Sequence, residues 1–251
     1  PSGVFMKLFA RTLPGAAPIA LFAALFSAQI ATASEADVKK GVEAWLGSNG
    51  PRVDAVRKAD ALGLYEVQID GELVYTDDKV THVILGDIID TRSRRNLTEE
   101  RKQKLSQIKF SDLPLDLAIK QVKGNGKRLL ATFEDPNCTY CKKLAKELQG
   151  VSDVTVYTFI YPILSPDSSE KAKNLWCAGD RAKAWNDLMV DGKAPAAANC
   201  DHPTDKVVAF GRKLNIRGTP TMFFADGTRA PGYMPAPMLQ KALDKGSANI
   251  R

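Results

Sequence analysis

The chain is poor in the residues that most often build metal and general-base sites: among 251 residues there are two histidines and four cysteines. His82 falls in a strand-like run and His202 near a turn beside Cys200, and with no partner motif both read as structural or surface residues. Of the cysteines only Cys138 and Cys141 are close together. Cys177 and Cys200 do not form a second close pair, which argues against the paired thiolates of a zinc ribbon and for no bound metal. Charge of one sign is also scarce. The formal net charge is +6 and scattered, too mild to argue for nucleic acid as a partner. There is no internal repeat and no low-complexity tract, and beyond the first 33 residues no apolar run approaches the roughly 20 residues of a membrane span. The remainder, 44% hydrophobic and 25% charged, is ordinary globular material, enough for one large domain or two modest ones.

Residues 1–33 carry the marks of an export leader. Met6 reads as the start, with Pro1 to Phe5 upstream of it. Lys7 and Arg11 make a positive n-region, Ile19 to Phe26 a short apolar h-region, and Ala31-Thr32-Ala33 an A-x-A site with cleavage expected before Ser34. Its loss removes Lys7 and Arg11 and no acid, lowering the net charge by two. A membrane anchor is the other reading, but the uninterrupted apolar run is short for one. An even number of cysteines in an exported, soluble chain favours disulfide chemistry over metal binding.

After the leader the pattern divides. Residues 34–95 read as a small α+β unit. Val38, Val42, Trp45 and Leu46 line one face of a short helix, and Tyr65, Val67 and Ile69 alternate as in a strand. Asp70-Gly71 is a two-residue hairpin signal, Leu73 to Thr76 the return strand, and Thr81 to Leu85 another β run, with Asp87 to Asp90 a further candidate. A unit of this size has a marginal core of its own, and a second copy is the simplest partner. Residues 96–114 read as a charged linker helix, with Thr98 as its cap, Glu99 and Glu100 in its first turn, and a thin stripe of Leu97, Leu105 and Ile108. Residues 115–251 run strand (Arg128 to Phe133), turn (Asp135-Pro136-Asn137), helix from Cys138, and strand (Val154 to Ile160). Next come inserted helices over Ser168 to Met189 and Thr204 to Leu214, then a hairpin around Asp226-Gly227 and a closing helix from Pro235. That order, β-α-β, helical insertion, ββα, is thioredoxin-like α/β.

Cys138-Thr139-Tyr140-Cys141 comes after a strand and starts a helix, which turns a bare C-x-x-C into a redox motif. A thiolate at a helix N-terminus sits near unpaired N–H groups and the positive end of the helix dipole, and its pKa falls. Cys138, expected to be exposed at the tip, is the expected nucleophile, and Cys141, one turn in and more shielded, the resolving thiol. Arg217-Gly218-Thr219-Pro220-Thr221 is the expected second wall. A proline opening a strand cannot donate to the ladder, and in a thioredoxin-type domain this position faces the C-x-x-C as a cis peptide, although the isomer itself is not legible in sequence. Cys177 and Cys200 read as a structural disulfide across the inserted helices, closing a loop worth about 3 kcal/mol, with a second redox relay as the alternative.

Several stretches together resemble the DsbC-type protein disulfide isomerases: FEDPNCTYCKKL (133–144), NLWCAGDRAKAW (174–185), the second cysteine at Cys200, and RGTPTMFFADGTRAPGY (217–233). Upstream, YEVQIDGELVYTDD and then VILGDIID are similar to that family's N-terminal dimerisation domain. The resemblance covers essentially the whole mature chain and implies a periplasmic homodimer with no cofactor beyond its own dithiol. It implies that Cys138 attacks wrong disulfides of misfolded exported proteins, and that Thr139, Tyr140, Thr219 and Pro220 contact the substrate. It also implies that Cys177 and Cys200 are bridged, and that a DsbD-like membrane donor keeps the active pair reduced. One departure stands out. The dipeptide Thr139-Tyr140 replaces the Gly-Tyr of well-known DsbC members and the Pro-Tyr common in DsbG, a position that bears on redox poise and substrate preference. The competing readings are a DsbG-like reductase of sulfenylated cysteines and a chaperone whose redox site is secondary. A DsbA-like oxidase is disfavoured by the separate N-terminal unit.

Overall fold

The structure, a computed structural model, describes residues 33–248; apart from Ala33, the expected leader lies outside the described residues. Ser34 opens the first helix, α1 (Glu35–Leu46), with a reciprocal capping box: its side chain accepts from the Asp37 N–H, and the Asp37 carboxylate accepts from the Ser34 N–H. Val38 and Val42 bury one face of α1 completely. They lie on an antiparallel sheet of β1 (Val53–Lys58), β2 (Tyr65–Ile69), β3 (Glu72–Thr76) and β4 (Val83–Ile84), in that spatial order, where Val53, Tyr65, Val67 and Val74 complete the small core. The β2–β3 turn uses Asp70 and Gly71, both at positive φ (48° and 82°), as a two-residue hairpin requires. Trp45, expected on the buried face, is instead 58% exposed. Strand β1 carries no clear sequence signal, because a register shift between Val53 and Ala55 breaks the alternation by which strands are recognised.

A two-residue ribbon, β5 (Ile89–Asp90) with β6 (Arg95–Asn96), leads into α2 (Leu97–Ser106). The cap of α2 is Asn96, whose side chain accepts from the Glu99 N–H, and not Thr98. Thr98 is fully buried, its hydroxyl 2.6 Å from that of Tyr75 and accepting from the Ile88 N–H. Arg101 adds a 2.8 Å bond to Glu66, a buried acid that Arg57 also contacts. The thin apolar stripe of α2 is thus supplemented by polar docking on the first sheet. Two short 3-10 turns, at Phe110–Asp112 and Leu115–Leu117, lead to the second domain.

The larger sheet has the order β11-β10-β8-β9-β7, built from β7 (Ile119–Lys123), β8 (Arg128–Glu134), β9 (Val154–Ile160), β10 (Thr221–Phe224) and β11 (Arg229–Pro231). Only β8 and β9 pair in parallel; the other pairs are antiparallel. Strand β7 is likewise unmarked in sequence: it is an edge strand whose Val122 faces outward at 58% exposure, so its polarity does not alternate in the usual sense. Helices α3 (Thr139–Gln149), α4 (Pro166–Trp176), α5 (Arg181–Met189), α6 (Thr204–Lys213) and α7 (Ala236–Ala248) cover the sheet. The helical stretch expected from Ser168 to Met189 breaks at 177–180, where Asp180 caps α5 by accepting from the Lys183 N–H at 2.9 Å. Phe133, Phe159, Tyr161 and Phe223 form an aromatic centre, with Phe133 and Phe159 stacked at 4.6 Å. The β10–β11 turn passes so close to the incoming chain that a side chain at Gly227 (φ 82°) would strike the Ile108 backbone. Ile108 donates to the Gly227 carbonyl at this crossing.

Candidate active site

Strand β8 is held between β10 and β9 at the middle of the sheet, so the segment leaving its C-terminal end is placed by the most constrained element of the domain. That segment is the turn Asp135-Pro136-Asn137 and then α3, with Cys138 as its N-cap. The Cys141 backbone N–H donates to the Cys138 sulfur at 3.2 Å, the thiol occupying the place a serine or aspartate oxygen takes in an ordinary cap. Cys138, expected to be exposed, is instead only 5% exposed, because the loop carrying Thr219 packs against its sulfur; Cys141 is fully buried, and both are free thiols.

The two thiols are driven apart in acidity. Hydrogen bonding from the Cys141 thiol lowers Cys138 most. The Thr219 hydroxyl and the N–H groups of Cys141 and Tyr140 add to it, and together they overcome burial to bring Cys138 to about 6. Burial pushes Cys141 strongly upward, reinforced by its bond to Cys138 and by the negative charge of Glu134. At neutral pH the outer sulfur is therefore a thiolate and the inner one a thiol.

The opposite wall is the loop before β10. The Thr219–Pro220 peptide is cis. The Cys138 thiol donates to the Thr219 carbonyl at 3.3 Å, and apart from its effect on that sulfur the buried Thr219 hydroxyl has no partner among the described residues. Pro220 accepts from the Gly232 N–H at 2.8 Å, tying the loop to β11. Thus Cys138, Thr139, Tyr140, Cys141, Thr219 and Pro220 converge on one rim. Thr139 is exposed and Tyr140 is 56% exposed, its ring 6.3 Å from that of Tyr233 and covered by the Lys143 ammonium at 5.1 Å. The other two cysteines lie apart from this rim: Cys177, at the end of α4, is bonded to Cys200 in the stretch before α6. Among the described residues no group of three or more His, Cys, Asp or Glu is placed to hold a metal ion, and no helix is long and apolar enough to cross a membrane.

Three residues of the site escape sequence reading. Asp135, fully buried, accepts from the N–H groups of Asn137, Ile163 and Leu164 and from the Ser168 hydroxyl, all at 2.8–3.0 Å. Asn137 donates to Ser165, Asp167 and Ser168 and accepts from Lys171. Together they lash the cysteine turn to the start of α4. Glu134, the last residue of β8, is 1% exposed. In sequence these are polar residues at the end of an apolar strand, where solvent is the ordinary expectation, and nothing local marks them as interior.

Comparison with known proteins agrees with this chemistry. The family described as "Disulfide bond isomerase protein N-terminal domain" matches residues 29–99, and that described as "Thioredoxin-like domain" matches 115–247. The chain is 53% identical over 191 residues to the probable thiol:disulfide interchange protein DsbC of Bordetella pertussis, covering 76% of this chain and 68% of the relative. It is 27% identical over 208 residues to the thiol:disulfide interchange protein DsbC of Escherichia coli K12, covering 81% and 86%. Among solved structures, a disulfide interchange protein from Neisseria gonorrhoeae superposes with a TM-score of 0.53 at 45% identity, over 54% of this chain and 99% of that one. These relatives favour the interchange reading over the sulfenic-acid alternative.

Proposed function

This chain belongs to the DsbC family of thiol:disulfide interchange proteins, and on that premise we propose that it isomerises or reduces wrong disulfides of exported proteins through Cys138 and Cys141. The observation that carries the assignment of roles is the asymmetry of the pair: a low-pKa sulfur at the tip of α3 and a buried, protonated one beneath it. The Cys138 thiolate attacks one sulfur of a substrate disulfide, forming a mixed disulfide and releasing the other substrate sulfur as a thiolate. In isomerisation a different substrate thiolate then attacks its own sulfur in the mixed bond, making a new substrate disulfide and regenerating Cys138. In reduction the Cys141 sulfur attacks Cys138, closing the internal disulfide and releasing the second substrate thiolate. Two electrons pass from the dithiol to the substrate in the second branch and none, net, in the first.

The surroundings suit a protein substrate. Tyr140 and Leu164 expose apolar area beside the turn, at 56% and 55%, and Thr219 and Pro220 offer backbone on the facing wall. Cys177 and Cys200 serve a structural role, joining the end of α4 to the stretch before α6. The N-terminal unit serves dimerisation: it ends in a two-residue edge strand, β4, and leaves Ile84, Leu85 and Ile89 48–79% exposed, a patch that a second copy would cover. Location in the periplasm and recharging by a DsbD-like membrane donor complete the reading, which rests for these on the family. The test is reactivation of scrambled, fully oxidised ribonuclease by the reduced protein with catalytic reductant; absence of reactivation would refute the isomerase assignment.

A further inference from the structure

The two domains meet at a polar bridge that has no task in that scheme. On one side stands the tip of the β2–β3 hairpin, held stiff by its own domain: the Gly71 N–H donates to the Asp54 carboxylate at 3.1 Å and the Asp70 N–H to the Arg52 carbonyl at 3.2 Å. On the other stands the loop that ends in Thr219 and Pro220, which is secured within the second domain. The Leu214 and Asn215 carbonyls accept from the Arg229 guanidinium, that of Ile216 from the Tyr161 hydroxyl, and that of Gly218 from the Thr221 hydroxyl, all at 2.8–3.0 Å. From this fixed loop the Arg217 side chain reaches across. Its guanidinium donates to the Asp70 carbonyl at 2.8 Å and lies 3.7 Å from the Glu72 carboxylate. The two charged side chains are 63% and 65% exposed, so the pair is weak and is screened by salt. A cleft of about 460 Å³ lies against the bridge, lined by Glu72, Glu99 and Lys102 on the hairpin side and by Arg217, Thr219 and Pro220 opposite. A second cleft, of about 200 Å³, also reaches Lys102. An exposed polar contact between clefts is the kind at which domains separate.

We propose that Arg217, with Asp70 and Glu72, is a salt-sensitive catch that holds the cleft beside Thr219 and Pro220 narrow, and that its release widens the approach to Cys138 for a protein substrate. The inference deepens the exchange reading and rests on it for the place of the substrate, against Thr219 and Pro220. Because the hairpin and the loop are each fixed in their own domain, breaking the catch moves the domains as bodies about the linker at 107–114. The loop stays where it is, with the Thr219 carbonyl on the Cys138 sulfur. Arg217 touches no reacting atom. It is a positioning residue that sets where the N-terminal unit stands over the site and leaves the acidity of Cys138 as it is. Both contacts run from one guanidinium, so a lysine at 217 keeps the charge and loses the fork.

The experiment acetylates the reduced protein with an N-hydroxysuccinimide ester and follows Lys102, which faces both clefts, by mass analysis against Lys193, which lines neither. In Arg217→Ala the Lys102 rate relative to Lys193 is expected to rise about threefold at low salt, with Arg217→Lys between the two. In about 0.5 M salt the unsubstituted protein should reach the rate of the variant, because screening releases the catch. The rate of ribonuclease reactivation relative to glutathione exchange should rise in Arg217→Ala, and the pH inflection of Cys138 alkylation should stay in place. Equal Lys102 labelling in Arg217→Ala and the unsubstituted protein at low salt would overturn the proposal. So would a difference that salt leaves intact, an unchanged ratio of reactivation to glutathione exchange, or a displaced Cys138 inflection, which would mean that the loop itself had moved. Failure of the unsubstituted protein to reactivate ribonuclease, alongside salt-dependent Lys102 labelling that Arg217→Ala abolishes, would refute the isomerase reading and leave the catch standing.

Discussion

The Cys138 sulfur stands 3.3 Å from the carbonyl oxygen of Thr219, whose own hydroxyl, apart from its effect on that sulfur, has no partner among the described residues. The thiol donates to the carbonyl, and the Thr219 side chain is among the groups that favour the thiolate. The pH dependence of Cys138 alkylation in the reduced protein should therefore show an inflection near 6, against roughly 8.5 for a free cysteine. Thr219→Val should move that inflection upward by about one unit. Cys141 should resist alkylation throughout.

The same groups leave a mark on stability. Cys138 is depressed in the folded state, so its contribution is complete above the unfolded value near 8.5 and lost as pH falls through about 6. Glu134 is raised, so its contribution has the opposite sign: it is complete below the ordinary carboxylate range and lost as pH rises toward about 8. In urea titrations of reduced protein, the stability difference between the unsubstituted chain and Cys138→Ala should widen from pH 6 to pH 8.5. That between the unsubstituted chain and Glu134→Gln should shift against the acid over pH 5 to 8.

Asp135 satisfies three backbone N–H groups and one hydroxyl in the interior. Asp135→Ala leaves all four donors without it, and denaturant unfolding should register a loss of roughly 3 kcal/mol or more. A loss below about 1 kcal/mol would mean that water replaces the carboxylate.

The Cys177–Cys200 bond closes a loop of 23 residues' separation, worth about 3 kcal/mol on a chain-entropy account. The double variant Cys177→Ser, Cys200→Ser should lose about that much in urea unfolding and retain glutathione exchange at Cys138 at 25 °C. Abolished exchange in a folded double variant would revive the second-relay reading.

Legibility in sequence tracks how local the cause is. The hairpin at Asp70-Gly71 and the helix start at Cys138 are written in adjacent residues, because turn chemistry and capping are short-range. The convergence of Thr219 and Pro220 on Cys138 is legible only through the order of elements and the family resemblance, since contacts across 81 residues have no local signal. Strand β1 is hidden by its bulge and β7 by an outward valine. Thr98 has the composition of a cap, yet the tertiary contacts with Tyr75 and Ile88 bury it and Asn96 does the capping. Glu134 and Asp135 are illegible for a related reason. Burial of a carboxyl is decided by which elements close over it, here α3, β9 and the start of α4, and not by its neighbours in sequence.

The central claim is that Cys138 starts exchange on misbridged proteins and Cys141 ends only one of its two branches. Reactivation of scrambled ribonuclease should be compared for the unsubstituted protein, Cys138→Ser and Cys141→Ser. The account predicts full activity for the first, none for Cys138→Ser, and residual activity for Cys141→Ser, because substrate thiols resolve the mixed disulfide in the isomerisation branch. Reactivation that survives Cys138→Ser, or is absent from the reduced, unsubstituted protein, would contradict it.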